Sequence, residues 1–527
     1  MTEDGEDWRQ YPGEKVRWKL CGNITGHELE CGSIDVPMDQ FSDVRYRHKT
    51  FSIPLLRMRG NNATQNLLLN PGGPGAGGAG LIIAEGASLN TIVGENFHLL
   101  TFDPRGVNQS RPLASCYPDN ESRRRLGHGR LTDPIRDSPN LYAWTTNLVQ
   151  SCKENMGEYL KYINTPQTAA DMNSILDAVG QEKLLYWGMS YGTILGQVYA
   201  TMYPERSGRV IIDGVADQFQ WFNELFTLDD FVDTDNVFMG FFDECIKAGE
   251  VCPLSKFGKS KHELHEKTQR FINNLHSTPI AVYVNSTMHG VLDDFALWYD
   301  GIFRELYSPI NWPKLADRLA KLLDGNATDA FIAYGQGDLF TGKLNGESNQ
   351  VVLLNDQQTG PKYWPQGRTA LLEKLLPIYD KHFFSKGDQE IYYLKQQWNI
   401  SKGHSYVPKK GVTTVHPLLI LSTTYDPVCP LVSAKLARDS FNGSRIVEIK
   451  GYGHCSLAKP SLCAGKYIRD YLTTGALPEE DVQCEIDGEY FPDEDKDMKL
   501  YRVESHSTED LDILVAQERL AAVLPIL

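Results

Sequence analysis

At 527 residues the chain is longer than one typical domain, and 41% apolar against 23% charged residues is the balance of a soluble globular protein. A formal net charge of −16 argues against a nucleic-acid footprint, which needs a basic face. No apolar stretch reaches the roughly 18 residues of a membrane span. The opening "MTEDGEDWRQ" is acidic and lacks the apolar core of a secretory leader. "NLLLN" (66–70) predicts a buried strand, "GLIIAEGASL" after a glycine-rich loop a helix, and "FHLLTFD" (97–103) the next strand. This strand–helix–strand order predicts a parallel sheet covered by helices. A helix is expected over 166–179, with Thr165 as N-cap, Pro166 at the first turn and Gly180 as the stop. "KLLYWG" and "RVIIDGV" (209–215) predict two more strands, separated by a helix through "TILGQVYATMY".

From 216 to 410 the pattern changes. "LHEKTQRFINNL" and "WPKLADRLAKLLDG" are helical in spacing, and strand runs are sparse. Strands resume at "HPLLILSTTYD" (416–426) and "RIVEIKGYGH" (445–454), and "EDLDILVAQERLAAVL" predicts a closing helix. The expected organisation is an α/β core in two parts, 1–215 and 411–475, interrupted by a mainly helical cap at 216–410 and followed by an extension over 476–527.

Two motifs compete for the chemistry. "NPGGPGAGGAG" (70–80) matches G-x-G-x-x-G at Gly73–Gly78 and again at Gly75–Gly80, with Asp103 ending the next strand where a dinucleotide fold places its ribose-binding acid. Pro71 and Pro74 weigh against a nucleotide-binding oxidoreductase, because each removes a backbone donor from a loop that would cradle a pyrophosphate. The same glycines let backbone N–H groups approach a substrate and stabilise an oxyanion. The second motif is Gly188-Met189-Ser190-Tyr191-Gly192, a G-x-S-x-G between a predicted strand and a predicted helix. That is the setting of a nucleophile elbow, in which flanking glycines relieve crowding around a serine on a sharp turn. A serine hydroxyl needs a base, and the chain order for this architecture is Ser, acid, His. Asp426 directly follows one late strand, and His454 follows the next, 28 residues on. Taken singly, an Asp after a strand is a turn residue and a His in a glycine-rich loop is a solvated side chain. Order, spacing and strand context together favour a triad. Ser190 attacks, His454 takes its proton, and Asp426 holds the imidazole and stabilises its cation.

In combination, "ECGSIDVPMD", "LLLNPGGPGAGG", "FDPRGVNQS", "YWGMSYGTILGQVYA", "VIIDGV", "PLLILSTTYDPVCP" and "GYGHCSL" resemble the tripeptidyl aminopeptidase-like branch of the α/β-hydrolases, relatives of proline iminopeptidase. The resemblance implies an α/β-hydrolase core with a helical cap and a Ser190–Asp426–His454 triad. It also implies an oxyanion hole from the N–H groups of Tyr191 and Gly73. Asp103 and Arg105 would be structural supports. Pro71 stands where proline iminopeptidases carry a histidine. The implied activity is that of a serine exopeptidase acting on peptide N-termini without cofactor or metal. Ester or small-metabolite hydrolysis on the same scaffold is the alternative, and the expected partner is a peptide or small ester, not nucleic acid or membrane. Binding a substrate ammonium calls for carboxylates in the cap. Glu224, Asp229, Asp230, Asp293 and Asp294 are candidates by location, against their being a solvated acidic face.

Ten cysteines without the double C-x-x-C of a zinc site favour disulfides and an oxidising compartment. Eight N-x-S/T triplets, beginning at Asn23, Asn62, Asn108, Asn120, Asn285, Asn326, Asn399 and Asn442, agree with secretion. The missing apolar leader leaves a cytoplasmic protein as the alternative. Proximity in sequence pairs Cys21–Cys31, Cys116–Cys152, Cys245–Cys252 and Cys463–Cys484. Contact between Asp426 and His454 would make Cys429 and Cys455 neighbours, and a bond between them is expected.

Overall fold

The computed structural model describes residues 8–42, 48–127, 133–335, 347–387, 389–492 and 507–523. Eleven strands form the main sheet. They are β1 (Trp8–Arg9), β2 (Trp18–Ile24), β3 (His27–Pro37), β4 (Thr50–Met58), β5 (Gln65–Asn70), β6 (Phe97–Phe102), β7 (Leu184–Met189), β8 (Ser207–Asp213), β11 (Leu419–Tyr425), β12 (Arg445–Tyr452) and β13 (Val482–Glu485). β9 (Ile280–Asn285) and β10 (Met288–Leu292) pair apart as a hairpin. The spatial order is β1-β2-β3-β4-β6-β5-β7-β8-β11-β12-β13. β1 to β4 and the β4–β6 pairing are antiparallel, and from β6 to β13 every pairing is parallel.

The central strands are apolar on both faces because helices cover both. Leu68, Leu100, Tyr186, Ile212 and Ile420 pack into one core with the helices Thr165–Ala178 and Tyr191–Met202. Their chain neighbours Leu67, Leu99, Trp187, Ile211 and Leu421 point the other way, into a core with the helices Gly78–Val93, Leu462–Thr474 and Thr508–Val523. This two-residue alternation of core membership is the pleat of a strand with two buried faces. Each such side chain contributes about 1.5–3 kcal/mol by leaving water.

Between β8 and β11 no strand joins the main sheet among the described residues. Helices, with the β9–β10 hairpin, enclose a further core around Phe241, Trp298 and Trp312, which Tyr490 and Phe491 of the C-terminal segment join. The C-terminal segment is part of the body: β13 extends the sheet beside β12, and Cys463–Cys484 ties it to a flanking helix. The pairs Cys21–Cys31, Cys116–Cys152 and Cys245–Cys252 are also bonded.

Three expectations need correction. The helix near 166 starts one residue earlier, and its cap is Asn164, whose side chain accepts the Gln167 N–H at 3.0 Å. Thr165 is instead drawn into side-chain bonds with Asp356 and Tyr191. The dinucleotide reading fails because Asp103 is buried: its Oδ2 accepts from Asn108 Nδ2 at 3.0 Å and from the Gln109 N–H at 3.1 Å, and its Oδ1 is enclosed against Gly77, so the carboxylate is not open to a ribose. Cys429 and Cys455 are two buried thiols, not a disulfide. Cys455 Sγ turns to the Asp213 carbonyl at 3.4 Å, whereas Cys429 Sγ lies within 4.8 Å of ligand atoms of both Asp426 and His454.

Candidate active site

Ser190 stands in the tight turn between β7 and the helix Tyr191–Met202, with φ +55° and ψ −125°. Positive φ is uncommon for a residue with a side chain, and here it is held from both sides. The Ser190 N–H donates to the Asp213 carbonyl at 2.9 Å, and the Ser190 carbonyl accepts from Thr193 N–H at 2.8 Å. The flanking glycines make room. A Cβ on Gly188 would lie 2.4 Å from the Gly192 carbonyl oxygen, and one on Gly192 would lie 2.7 Å from that of Asn70.

The glycine-rich loop after β5 lies against this turn. Gly72 has φ +103°, and a Cβ there would fall 2.9 Å from Ser190 Cβ and 3.1 Å from Tyr191 N. Gly73, at φ +106°, lines the same cavity as Ser190. The loop is pinned from the segment beyond β8 by Asn349, whose Nδ2 donates to the Pro74 carbonyl at 2.8 Å.

Asp426 and His454 meet at the ends of β11 and β12. His454 Nδ1 is 2.9 Å from Oδ2 and 3.0 Å from Oδ1 of Asp426. The carboxylate is fully buried and further held by the N–H groups of Val428 (2.9 Å), Cys429 (2.8 Å) and Cys455 (3.1 Å). Burial pushes both neighbouring thiols well above the usual cysteine range.

Ser190 and His454 line one cavity of about 350 Å³, together with Pro71, Gly73, Tyr307 and Arg304. Tyr307 also contacts the base directly. Its carbonyl accepts the backbone N–H of His454 at 2.8 Å, and its ring meets the imidazole edge-on at 5.1 Å. Tyr299 and Phe303 continue this wall one turn at a time, with ring centroids 5.4 Å apart. They sit on a π-helical stretch, Ala296–Phe303, a widened turn found often at functional sites.

None of Glu224, Asp229, Asp230, Asp293 or Asp294 is among the described residues lining the cavity. Asp293 caps a helix by accepting the Ala296 N–H, and Asp294 pairs with His276 at 2.9 Å. Burial raises Asp230 to about 7. Arg105 is a support, as expected, forming a buried two-pronged pair with Asp171 at 2.7 and 2.6 Å.

Residues 65–459 match the alpha/beta hydrolase fold family. The chain belongs to that family. It is similar to the serine protease Hip1 of Mycobacterium tuberculosis, at 28% identity over 90% of this chain and 91% of that protein. It is similar to the tripeptidyl aminopeptidase of Streptomyces coelicolor at 25% identity, covering 91% of this chain and 86% of the relative. It is also similar to carboxylesterase B of Mycobacterium tuberculosis at 24% identity, covering 90% and 92%.

Sequence reasoning brought forward Ser190, Asp426, His454, Gly73 and Tyr191, and it missed Gly72, Asp213 and Tyr307. Asp213 did carry a signal: it is an acid inside the predicted apolar strand 209–215.

Proposed function

We propose that this protein is a serine hydrolase that cleaves acyl bonds through an acyl-enzyme on Ser190. The observation that carries the reading is the pairing of His454 Nδ1 with the buried Asp426 carboxylate in a cavity shared with a strained Ser190. In this reading Asp426 fixes the tautomer whose Nε2 accepts the serine proton. Ser190 Oγ attacks the carbonyl carbon, and the N–H groups of Tyr191 and Gly73 stabilise the oxyanion. His454 then returns the proton to the leaving group, and water repeats the sequence to free the acid. No cofactor or metal is needed for these steps.

The preferred substrate class is the N-terminus of short peptides, supported by similarity to proteins named serine protease and tripeptidyl aminopeptidase. Ester hydrolysis is the second reading. It is favoured by an aromatic cavity wall and by the absence of a carboxylate for a substrate ammonium among the described lining residues, and similarity to a carboxylesterase agrees with it. We assign residues 216–410 as the cap that shapes the cavity. An oxidising, extracellular setting is supported by four disulfides and by seven exposed sequon asparagines. The eighth, Asn108, donates its side-chain N–H to Asp103.

The test is a panel of aminoacyl, dipeptidyl and tripeptidyl chromogenic amides, with free and blocked N-termini, beside simple esters. Wild type and Ser190→Ala are compared. Turnover of free-amine amides supports the exopeptidase. Turnover of esters alone selects the second reading, and full activity in Ser190→Ala overturns both.

A further inference from the structure

We propose that Asp213, at the C-terminal end of β8, is a positioning residue that locks the nucleophile turn to the histidine loop and adds a second buried negative charge beside His454. The inference rests on the assignment of Ser190 and His454 above.

Asp213 is fully buried and reaches both halves of the site. Its backbone carbonyl accepts the Ser190 N–H at 2.9 Å and faces Cys455 Sγ at 3.4 Å. Its side chain grips the residues after His454. Oδ1 accepts the Ser456 N–H at 2.7 Å, and Oδ2 accepts the Ser456 hydroxyl at 2.6 Å and the Trp187 indole N–H at 3.2 Å. One residue therefore bridges β7, the serine turn and the loop carrying the base. The next residue, Gly214, has φ +65°, and a Cβ there would lie 2.5 Å from Cys455 Sγ, so the loop closes directly on this strand end.

All three side-chain partners are donors, which suits an ionised carboxylate that has only acceptors to offer. Burial is the largest influence and holds the Asp213 carboxyl above the usual carboxylate range; the three bonds and the attraction of a protonated His454 act in the opposite direction. The groups facing His454 come from several elements. Asp426 and Cys429 lie on the loop after β11, Asp213 ends β8, Cys455 adjoins the histidine, and Tyr307 and Arg304 stand on the cap wall. Asp426 aligns the ring by direct contact. Asp213 supplies charge without touching it, as required of a group that stabilises the imidazolium formed when Ser190 gives up its proton.

Asp213→Asn removes the charge and sets an amide N–H against the donor of Trp187 or Ser456. The probe is an alkyl fluorophosphonate: the Ser190 Oγ–P bond forms, the P–F bond breaks, fluoride departs, and His454 takes the hydroxyl proton. The second-order labelling rate is followed against pH, with thermal melting alongside and Ser190→Ala as the control. The expected result is a fall of about tenfold to a hundredfold in the plateau rate, with the acid limb moved down by about half a pH unit or more. A folded variant whose profile superimposes on that of wild type overturns the proposal. Should Asp213→Asn not fold, Ser456→Ala keeps the charge and removes one bond. Its plateau is expected to fall about threefold to tenfold with the acid limb unmoved, and an unchanged plateau overturns the proposal. Undiminished labelling of Ser190→Ala refutes the serine assignment itself, whereas an inert Ser190→Ala beside unaffected Asp213 and Ser456 variants refutes only the role of Asp213.

Discussion

Asp426→Asn is the substitution whose outcome the geometry determines most closely. Oδ1 receives the N–H groups of Val428 and Cys429, and Oδ2 receives that of Cys455 while lying closest to His454 Nδ1. An asparagine keeps one acceptor oxygen. With that oxygen toward Val428 and Cys429, a single buried donor, the Cys455 N–H, is stranded. The opposite flip strands two, and each costs about 1–3 kcal/mol, so the first flip is favoured. The side-chain NH2 then donates to Nδ1 and holds the proton of neutral His454 on Nε2, where it cannot accept the proton of Ser190. The wrong tautomer in such a triad costs roughly 10⁴-fold in kcat, or about 5.5 kcal/mol at 1.36 kcal/mol per decade. The assay is kcat on whichever ester or amide the wild type turns over, with a urea melt alongside. A loss near four decades with about 1–3 kcal/mol of destabilisation is expected. A variant that stays within tenfold of wild type would refute the role given to Asp426.

Gly72→Ala places a Cβ 2.6 Å from the Met189 carbonyl oxygen and 2.9 Å from Ser190 Cβ, at φ +103°. Displacement of the elbow should cut fluorophosphonate labelling about a hundredfold while the far-UV circular dichroism of the folded protein is kept. Arg105→Lys loses the two-pronged grip on Asp171. It should destabilise the fold by about 3–5 kcal/mol in urea titration, with the folded fraction still labelled. Ten cysteines less the eight in four bridges leave two thiols. A thiol reagent should therefore find none in the native protein, where both are buried with raised pKa, and two after denaturation without reductant. None after denaturation would restore the Cys429–Cys455 bond.

The strands that carry the site were legible because they are covered on both faces, and a continuous apolar run such as "KLLYW" marks such a strand without any partner in view. The antiparallel strands β2 and β3 were not. β2 exposes most of its residues, and "CGNITGHELECGSID" reads as turns and charge, since its pairing is set by neighbours rather than by an apolar pattern. β4 contains Pro54, a residue type depleted from strand interiors. Of the site, Ser190, Asp426 and His454 were legible because strand ends impose their order. The cysteines show where such reasoning stops. Asp426 and His454 touch, yet the thiols three residues and one residue away face different partners, because side-chain direction is set by local backbone and not by proximity along the chain. Tyr307 and Phe303 gave no sign, since aromatic residues at helical spacing are ordinary core until a cavity opens beside them.

The central claim is that Ser190 is the nucleophile and His454 its base. It is tested most directly by treating the native protein with a fluorophosphonate and locating the adduct by peptide mass spectrometry. One adduct per chain is expected, on the peptide carrying Ser190, absent in Ser190→Ala and strongly slowed in His454→Ala. An adduct on another residue, or a Ser190→Ala protein that still turns over substrate at the wild-type rate, would contradict it.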